Sequence, residues 1–389
     1  MIQHQVKKLK KELQRDYLLL VYLWPLLRKL VKNKLTKRCT VCTLNEKYTV
    51  IGDDGICNIC RKEQQNPVIL KSEDNVDQLF MDAQGKGKGL YDALVFFSGG
   101  KDSTYLLTTL QKKYKKLRIL AFTIDNGFRS PFGEENVKEI CKHFGIEHLE
   151  IRPFNMFKKL YRYGFENFSH KGFYATDIWE GELFMDIGRN IAAQMQIPLT
   201  VLGYTPQQLS IIEPGYDEYK LYNSSQAIYK ENQKFTRETF LGHRLDSIFT
   251  PDEMKYWWDF TRYSESELPI MVLPFNAWGY NKDEIQKEVS QMSFLTKVNP
   301  MFTNDLYCQL GIYLDYKILG YCSFEPEWAA YVREMKADNV YNRNTWEIME
   351  YGSLYSENQI LNSINMKMVL DQLGMTKKDV SEIIRKCSR

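Results

Sequence analysis

The chain has 389 residues, enough for two to three domains at about 150 residues each. Hydrophobic residues make up 44% and charged residues 26%, an ordinary globular balance that excludes collagen-like and globally disordered chains. The net charge of +3 hides an asymmetry: residues 1–38 carry eleven Lys/Arg against Glu12 and Asp16, a net of +9, so the rest of the chain sums to −6. An acidic body lacks the basic footprint of an extensive nucleic-acid interface, so no nucleic-acid partner is expected.

Residues 1–38 read as a basic amphipathic helix, with Leu9, Leu13 and Tyr17 on one face at i, i+4 spacing. Pro25 is expected to kink or end it. The segment either lies on an anionic membrane surface or packs on the body or a second subunit. Its apolar run, Tyr17 to Leu27, is well short of the roughly 20 residues that cross a bilayer, so no transmembrane helix is expected. With no small-residue cleavage site and a basic stretch after it, the run does not read as a secretory leader. The expected location is cytoplasmic, peripheral to the inner membrane face if the helix binds lipid. In a reducing compartment the eight cysteines read as ligands, core residues or reactive thiols before disulfides.

Residues 39–61 form a cysteine knuckle. Cys39 and Cys42 make one CxxC pair, and Cys57 and Cys60 make a second pair after a fourteen-residue gap. Two chelating pairs supply the four thiolates of a closed, structural Zn²⁺ site, with an iron–sulfur cluster and redox pairs as alternatives. A linker follows, and Gly85, Gly87 and Gly89 belong to it: they precede a strand and lack the third glycine of a dinucleotide fingerprint.

Residues 85–210 then show an α/β pattern. Apolar strands are expected at Asp92–Phe97, Leu117–Ile124, Glu147–Ile151 and Pro198–Leu202, with helices at Thr104–Tyr114, Glu134–Phe144 and Glu182–Met195. Short apolar strands alternating with helices imply a parallel sheet covered on both faces. Residues 211–389 read as a mostly helical region: helices and loops around a pocket from Ser210 to Asn299, a helix over Asn358–Leu373, and a last helix capped by Thr376 and Asp379.

The strongest motif is Ser98-Gly99-Gly100-Lys101-Asp102-Ser103-Thr104, between the first strand and its helix. Two glycines allow a tight turn, the helix N-terminus offers N–H groups to an anion, and Lys101 adds charge. It is not a Walker A loop, because Val95 stands where that pattern needs glycine. The second strand ends in Thr123-Ile124-Asp125 and the fourth in Gly203-Tyr204, both at the sheet edge where α/β ligands bind.

Ser98-Gly-Gly-Lys-Asp-Ser103 resembles the loop of the PP-loop ATP pyrophosphatase superfamily. The resemblance implies a five-stranded parallel sheet and cleavage of ATP between the α- and β-phosphates. It implies ATP contacts at Ser98, Gly99, Gly100, Lys101, Asp102, Ser103, Thr104, Thr123, Ile124, Asp125 and Gly203. Lys101 would neutralise charge on the phosphates, and Asp102 would either hold Mg²⁺ or only cap the helix.

Within the superfamily, several features resemble bacterial N-acetyl sugar amidotransferases. They are the knuckle placed before the loop, Asn126-Gly-Phe-Arg-Ser-Pro131 with Asn136, Val298-Asn-Pro300 through Thr303-Asn304, and Gly320-Tyr321 with Arg333. That implies conversion of an acetamido group of a nucleotide-linked sugar to an acetamidino group through an adenylylated intermediate. Ammonia would come from a separate glutaminase partner, since this chain shows no glutaminase signature. Arg129 and Gln207 are the candidate substrate contacts. Tyr204 departs from the family's usual glutamate. The alternatives are a sulfur-transfer or tRNA-modifying PP-loop enzyme, whose thiol would be sought among Cys141, Cys308, Cys322 and Cys387, and a non-catalytic nucleotide-binding subunit.

Overall fold

The computed structural model describes residues 2–65, 76–205, 208, 247–292, 295, 305–335 and 339–387. They form two compact units, one drawn from residues 1–69, 162–175 and 300–389, the other from 70–161 and 176–299.

The second unit is built on β1 (Ala93–Phe96), β2 (Ile119–Ile124), β3 (Glu147–Ile151), β4 (Leu199–Val201) and β5 (Ile270–Val272). All four pairings are parallel, in the order β3-β2-β1-β4-β5. The expected α/β fold is therefore present. β5 corrects the reading of Ser210–Asn299 as helices and loops alone: three residues are too short a run to show a strand period.

Helices α5 (Lys101–Lys113) and α6 (Pro131–Phe144) cross over after β1 and β2, and α8 (Tyr174–Gln194) precedes β4. Leu106, Leu107 and Leu110 of α5 bury against Val95 and Phe97, with Val137 and Ile140 of α6 in the same core. Phe96 points the other way, against α8, where a side chain at Gly188 would overlap its ring. Both faces of the sheet are thus covered, as continuously apolar parallel strands require. α8 starts two turns before the expected Glu182, because Trp179, Leu183 and Ile187 carry one buried face back past it. Strand order reverses at β1, and the crevice beyond the ends of β1 and β4 is the place for a ligand.

In the first unit, α1 (Ile2–Leu18) runs through a π turn at Leu19–Leu23 into α2 (Trp24–Val31). Pro25 does not end the helix. It has no N–H to give, and the wide turn just before it absorbs the break in the ladder. Leu9, Leu13 and Trp24 are buried, and the Glu12 carboxylate accepts from Ile364 N and Asn365 N, both at 3.0 Å. Arg28 grips Glu347 through two bonds of 2.6 Å. One face of the segment is therefore packed on its own unit, while Leu18, Tyr22, Leu23, Leu26, Leu27 and Leu30 are exposed. Among the described residues, no helix is long and apolar enough to cross a membrane.

The stretch expected as one helix at 358–373 is two, α15 (Glu357–Asn362) and α16 (Ile364–Leu373). Ser363 breaks it with ψ 154° and caps the second helix through Met366 N. Thr376 and Asp379 form the expected reciprocal cap of α17 (Lys377–Cys387), at 2.7 and 3.3 Å.

Candidate functional site

The loop from Ser98 to Gly100 joins β1 to α5 and is shaped by backbone constraints. Gly99 sits at φ 75°, and a Cβ there would lie 2.2 Å from the Gly133 carbonyl oxygen. Only glycine fits both demands. The loop is braced from α6 and the residues before it: Asn136 Nδ2 donates to Gly99 O at 3.0 Å, and Arg129 donates to Ser98 O at 3.1 Å. Ser98 Oγ and Ser103 Oγ lie 3.1 Å apart across the turn.

Gly100 is the N-cap of α5 and supplies no side-chain cap. The first-turn N–H groups and the positive end of the helix dipole therefore face the loop uncapped by a side chain, the arrangement that binds anions. Lys101 Nζ bonds both Asp102 oxygens, at 2.6 and 2.8 Å, and Tyr280 Oη at 2.7 Å. Tyr280 Oη in turn donates to Asp102 at 2.8 Å. The ion pair is only about two-thirds buried, so an arriving phosphate can compete for the ammonium group. Tyr280 carries no motif and lies far along the chain, so sequence alone gave no sign of it.

Other expected residues gather at the same end of the sheet. Gly203 approaches the first turn of α5, its Cβ position 3.7 Å from Ser103 N. Thr123 donates to Phe97 O at 2.6 Å and meets His148 Nε2 at 2.8 Å. Burial lowers the proton affinity of His148, which favours the neutral imidazole. Asp125 is mostly buried, accepts from Gly127 N at 2.9 Å, and lies 3.5 Å from Arg152. Ile124 is buried and can offer only backbone.

Two expected contacts are placed differently. Thr104 is 1% exposed, so its hydroxyl turns away from the loop opening. Arg129 is 8% exposed, and its guanidinium spans Ser98 O and Glu150, 3.7 Å away, so it positions the loop. Gln207 lies outside the described residues. Tyr204 packs beside α8, where a side chain at Gly181 would meet its hydroxyl at 2.7 Å.

In the other unit, Cys39, Cys42, Cys57 and Cys60 bring their four sulfurs within 4.8 Å of one another. The Cys39–Cys60 and Cys42–Cys57 separations are 3.9 and 3.6 Å. Four thiolates at 2.3 Å from one tetrahedral ion stand about 3.8 Å apart. A four-iron cluster puts each thiolate on its own iron and spreads the sulfurs further. The donor set therefore fits a single tetrahedral ion. All four thiols are buried. Arg343 donates to Cys39 O at 3.1 Å, and Asn342 donates to Thr43 Oγ1 at 2.6 Å, tying the knuckle to helix α14 (Asn339–Tyr355).

Comparison with known proteins reaches one part of this structure. The family model of the queuosine biosynthesis protein QueC matches residues 92–167, which span β1 to α7 (Phe154–Glu166) and contain the loop. A 7-cyano-7-deazaguanine synthase of Clostridium botulinum is 40% identical over 68 residues, 18% of this chain and 30% of that protein. The synthase of Clostridium acetobutylicum is 43% identical over 65 residues, 16% of this chain and 28% of that protein. An uncharacterised protein of Methanocaldococcus jannaschii is 29% identical over 114 residues, 28% of this chain and 40% of that protein. These alignments thus span well under half the length of each relative. A solved structure, the U34-tRNA thiolase NcsA from Methanococcus maripaludis with its [4Fe-4S] cluster, aligns over 85% of this chain and 90% of that one. Its identity is 12% and its TM-score 0.36. The glycine loop and the five-stranded parallel order fit a PP-loop α/β fold, and within it residues 92–167 are similar to QueC.

Proposed function

We propose that this protein splits ATP between the α- and β-phosphates to adenylylate an oxygen of its acceptor. The acceptor oxygen attacks the α-phosphorus, the bond to the bridging oxygen breaks and pyrophosphate leaves. A nitrogen or sulfur nucleophile then attacks the activated carbon, whose bond to oxygen breaks and frees AMP. The observation that carries this is the loop: a helix N-terminus without a side-chain cap, a glycine no other residue can replace, and Lys101 beside it. Ser98, Gly100 and Ser103 would hold phosphate oxygens, Lys101 would offset the charge that builds as pyrophosphate leaves, and Arg129 and Asn136 would keep the loop in shape. Mg²⁺ would screen the phosphates, and Asp102 and Asp125 are the nearby carboxylates able to hold it. Gly203 and the end of β2 would border the adenosine.

For the acceptor, we favour modification of a nucleobase or tRNA over the nucleotide-linked sugar. The matched relatives are named for making a deazaguanine, and the matched segment leaves out the knuckle, one of the features behind the sugar resemblance. Within the sulfur-transfer form of this reading, Cys141, Cys308 and Cys322 are poor thiol carriers. All are buried, and burial pushes the Cys141 thiol up to about 11. Zn²⁺ is the ion proposed for the knuckle, in a structural role. A glutaminase partner belongs to the sugar reading and stands or falls with it. The exposed apolar face of α1–α2, with Lys29, Lys32 and Lys34 exposed at its end, is proposed to meet anionic lipid; co-sedimentation with phosphatidylserine vesicles tests it.

The functional test incubates the protein with MgATP, ammonium or a sulfur donor, and either a tRNA pool or a panel of UDP- and CMP-linked N-acetyl sugars. AMP and pyrophosphate formation that depends on one acceptor class identifies it, and Lys101→Ala should abolish turnover. Turnover with the sugars alone, giving a product lighter by one mass unit, would move the protein to the amidotransferase class. ATP binding without turnover in any arm would make it a non-catalytic subunit.

A further inference from the structure

We infer that a cleft along the β3 side of the nucleotide-loop unit is a subsite for the phosphate of a nucleotide, and that it holds the acceptor. The inference rests on the ATP-splitting reading for the word acceptor, but the cleft stands on its own observations. Its volume is about 590 Å³, within the range of small-molecule sites. The charged side chains lining it are all cations: Arg152 after β3, and Lys255 and Arg262 on the segment that follows helix α9 (Pro251–Met254). Tyr256 stands between them in sequence and offers a half-buried ring to the same wall, and Ile187 and Ile191 of α8 make the apolar side.

Two nearby carboxylates are bonded to other groups. Glu253 takes two bonds of 2.7 Å from Lys159, and Asp259 accepts from Thr261 N and Oγ1 at 2.8 and 2.7 Å. Glu150 and Asp125 face Arg152. Neither Lys255 nor Arg262 forms an ion pair within 4 Å among the described residues, although Arg262 stands close enough to Asp259 to help hold its carboxyl below the usual range. Lys255 and Arg262, beside an Arg152 already facing Glu150 and Asp125, make a cationic wall of the kind that recognises phosphate.

The cleft is also held in shape before any ligand arrives. Asn190 of α8 donates to Tyr256 O at 3.0 Å, Trp258 N donates to Asp186 at 2.9 Å, and both Trp257 and Trp258 are buried. Arg262 donates to Lys255 O at 3.3 Å, which sets the two cations side by side. Asn190 is 6% exposed, so the bond it gives to Tyr256 O fixes the wall from inside. Cations for phosphate and a ring for stacking together describe a nucleotide. Arg152 joins this cleft to the nucleotide loop's end of the sheet, since it lines the one and reaches Asp125 at the other.

The phosphate has two sources, a free nucleoside diphosphate or an RNA strand. Calorimetry on the full chain, with the loop filled by α,β-methylene-ATP, tests both with UDP and with a twelve-nucleotide single-stranded RNA. At least one probe should bind wild type and bind Lys255→Ala/Arg262→Ala at least tenfold more weakly, while the double variant keeps wild-type affinity for the ATP analogue. Tighter binding of the RNA with steep salt dependence assigns the cleft to a polynucleotide; UDP binding alone assigns it to a small nucleotide. Equal affinity of the double variant and wild type for both probes, or no binding of either probe, overturns the inference. Failure of the wild type to bind the analogue would instead sink the ATP reading, and probe binding is then read without it.

Discussion

A methyl group at residue 99 would have to occupy space 2.2 Å from a backbone carbonyl at a φ of 75°, and neither the loop nor α6 can yield without moving the other. Gly99→Ala is therefore expected to weaken ATP binding by more than tenfold and to lower stability by about 1–3 kcal/mol. Calorimetric titration with ATP and a thermal melt check the two parts separately. Asp92 makes a different kind of prediction. Burial alone would raise its pKa, but donors from Arg118 and Gly87 N hold its carboxyl below the usual aspartate range. A depressed folded-state value means stability that is present above the unfolded pKa near 3.9 and lost as pH falls through the folded value. Asp92→Asn should lower the melting temperature at pH 7 and flatten its decline between pH 5 and pH 2, measured by circular dichroism. At this scale the sequence shows what motifs show. Lys101 and Asp102 are legible because a glycine-rich turn before a helix has one physical use. Tyr280, bonded to both, is not, because nothing near it in sequence marks its neighbours. Arg129 is visible as a charge, but only the fold reveals that it serves the loop backbone.

Among the elements, the knuckle allows the plainest test. Four buried thiols within 4.8 Å should bind one Zn²⁺ per chain, colourless above 300 nm, and a chelator should lower the melting temperature of the intact chain. Cys57→Ser should abolish that stoichiometric binding in elemental analysis; a brown protein with iron and sulfide would contradict the single-ion reading. The knuckle is readable from spacing because chelation fixes spacing. β1 and β2 are readable because burial on both faces makes each a nearly unbroken apolar run, whereas β3, at the sheet edge, is polar and half-exposed. β5 is three residues long, and its place comes from pairing with β4, which no local pattern encodes. The π turn before Pro25 is hidden for a similar reason. Sequence states that the helical ladder must lose a bond there, and only packing of Leu9, Leu13 and Trp24 on either side decides that the helix continues.

Over the whole molecule, the charge asymmetry has a local explanation that composition could not supply. Part of the basic excess of residues 1–38 is spent inside its own unit. Arg28 pairs with Glu347, and the buried Arg38 bonds Glu325 and Glu350 at 2.7 and 2.8 Å. Removing Arg38 would strand two buried carboxylates, so Arg38→Ala is expected to cost about 3–5 kcal/mol in a denaturant titration. The central claim concerns which bond of ATP is broken, and it is tested most directly by the products. The protein is incubated with MgATP labelled at the α-phosphate, together with ammonium, a sulfur donor, a tRNA pool and the nucleotide-sugar panel. The nucleotides are then separated. Labelled AMP with an equal amount of pyrophosphate, absent with Lys101→Ala, is the predicted result. Labelled ADP with inorganic phosphate, from wild type but not from that variant, would show cleavage between the β- and γ-phosphates and would contradict the account.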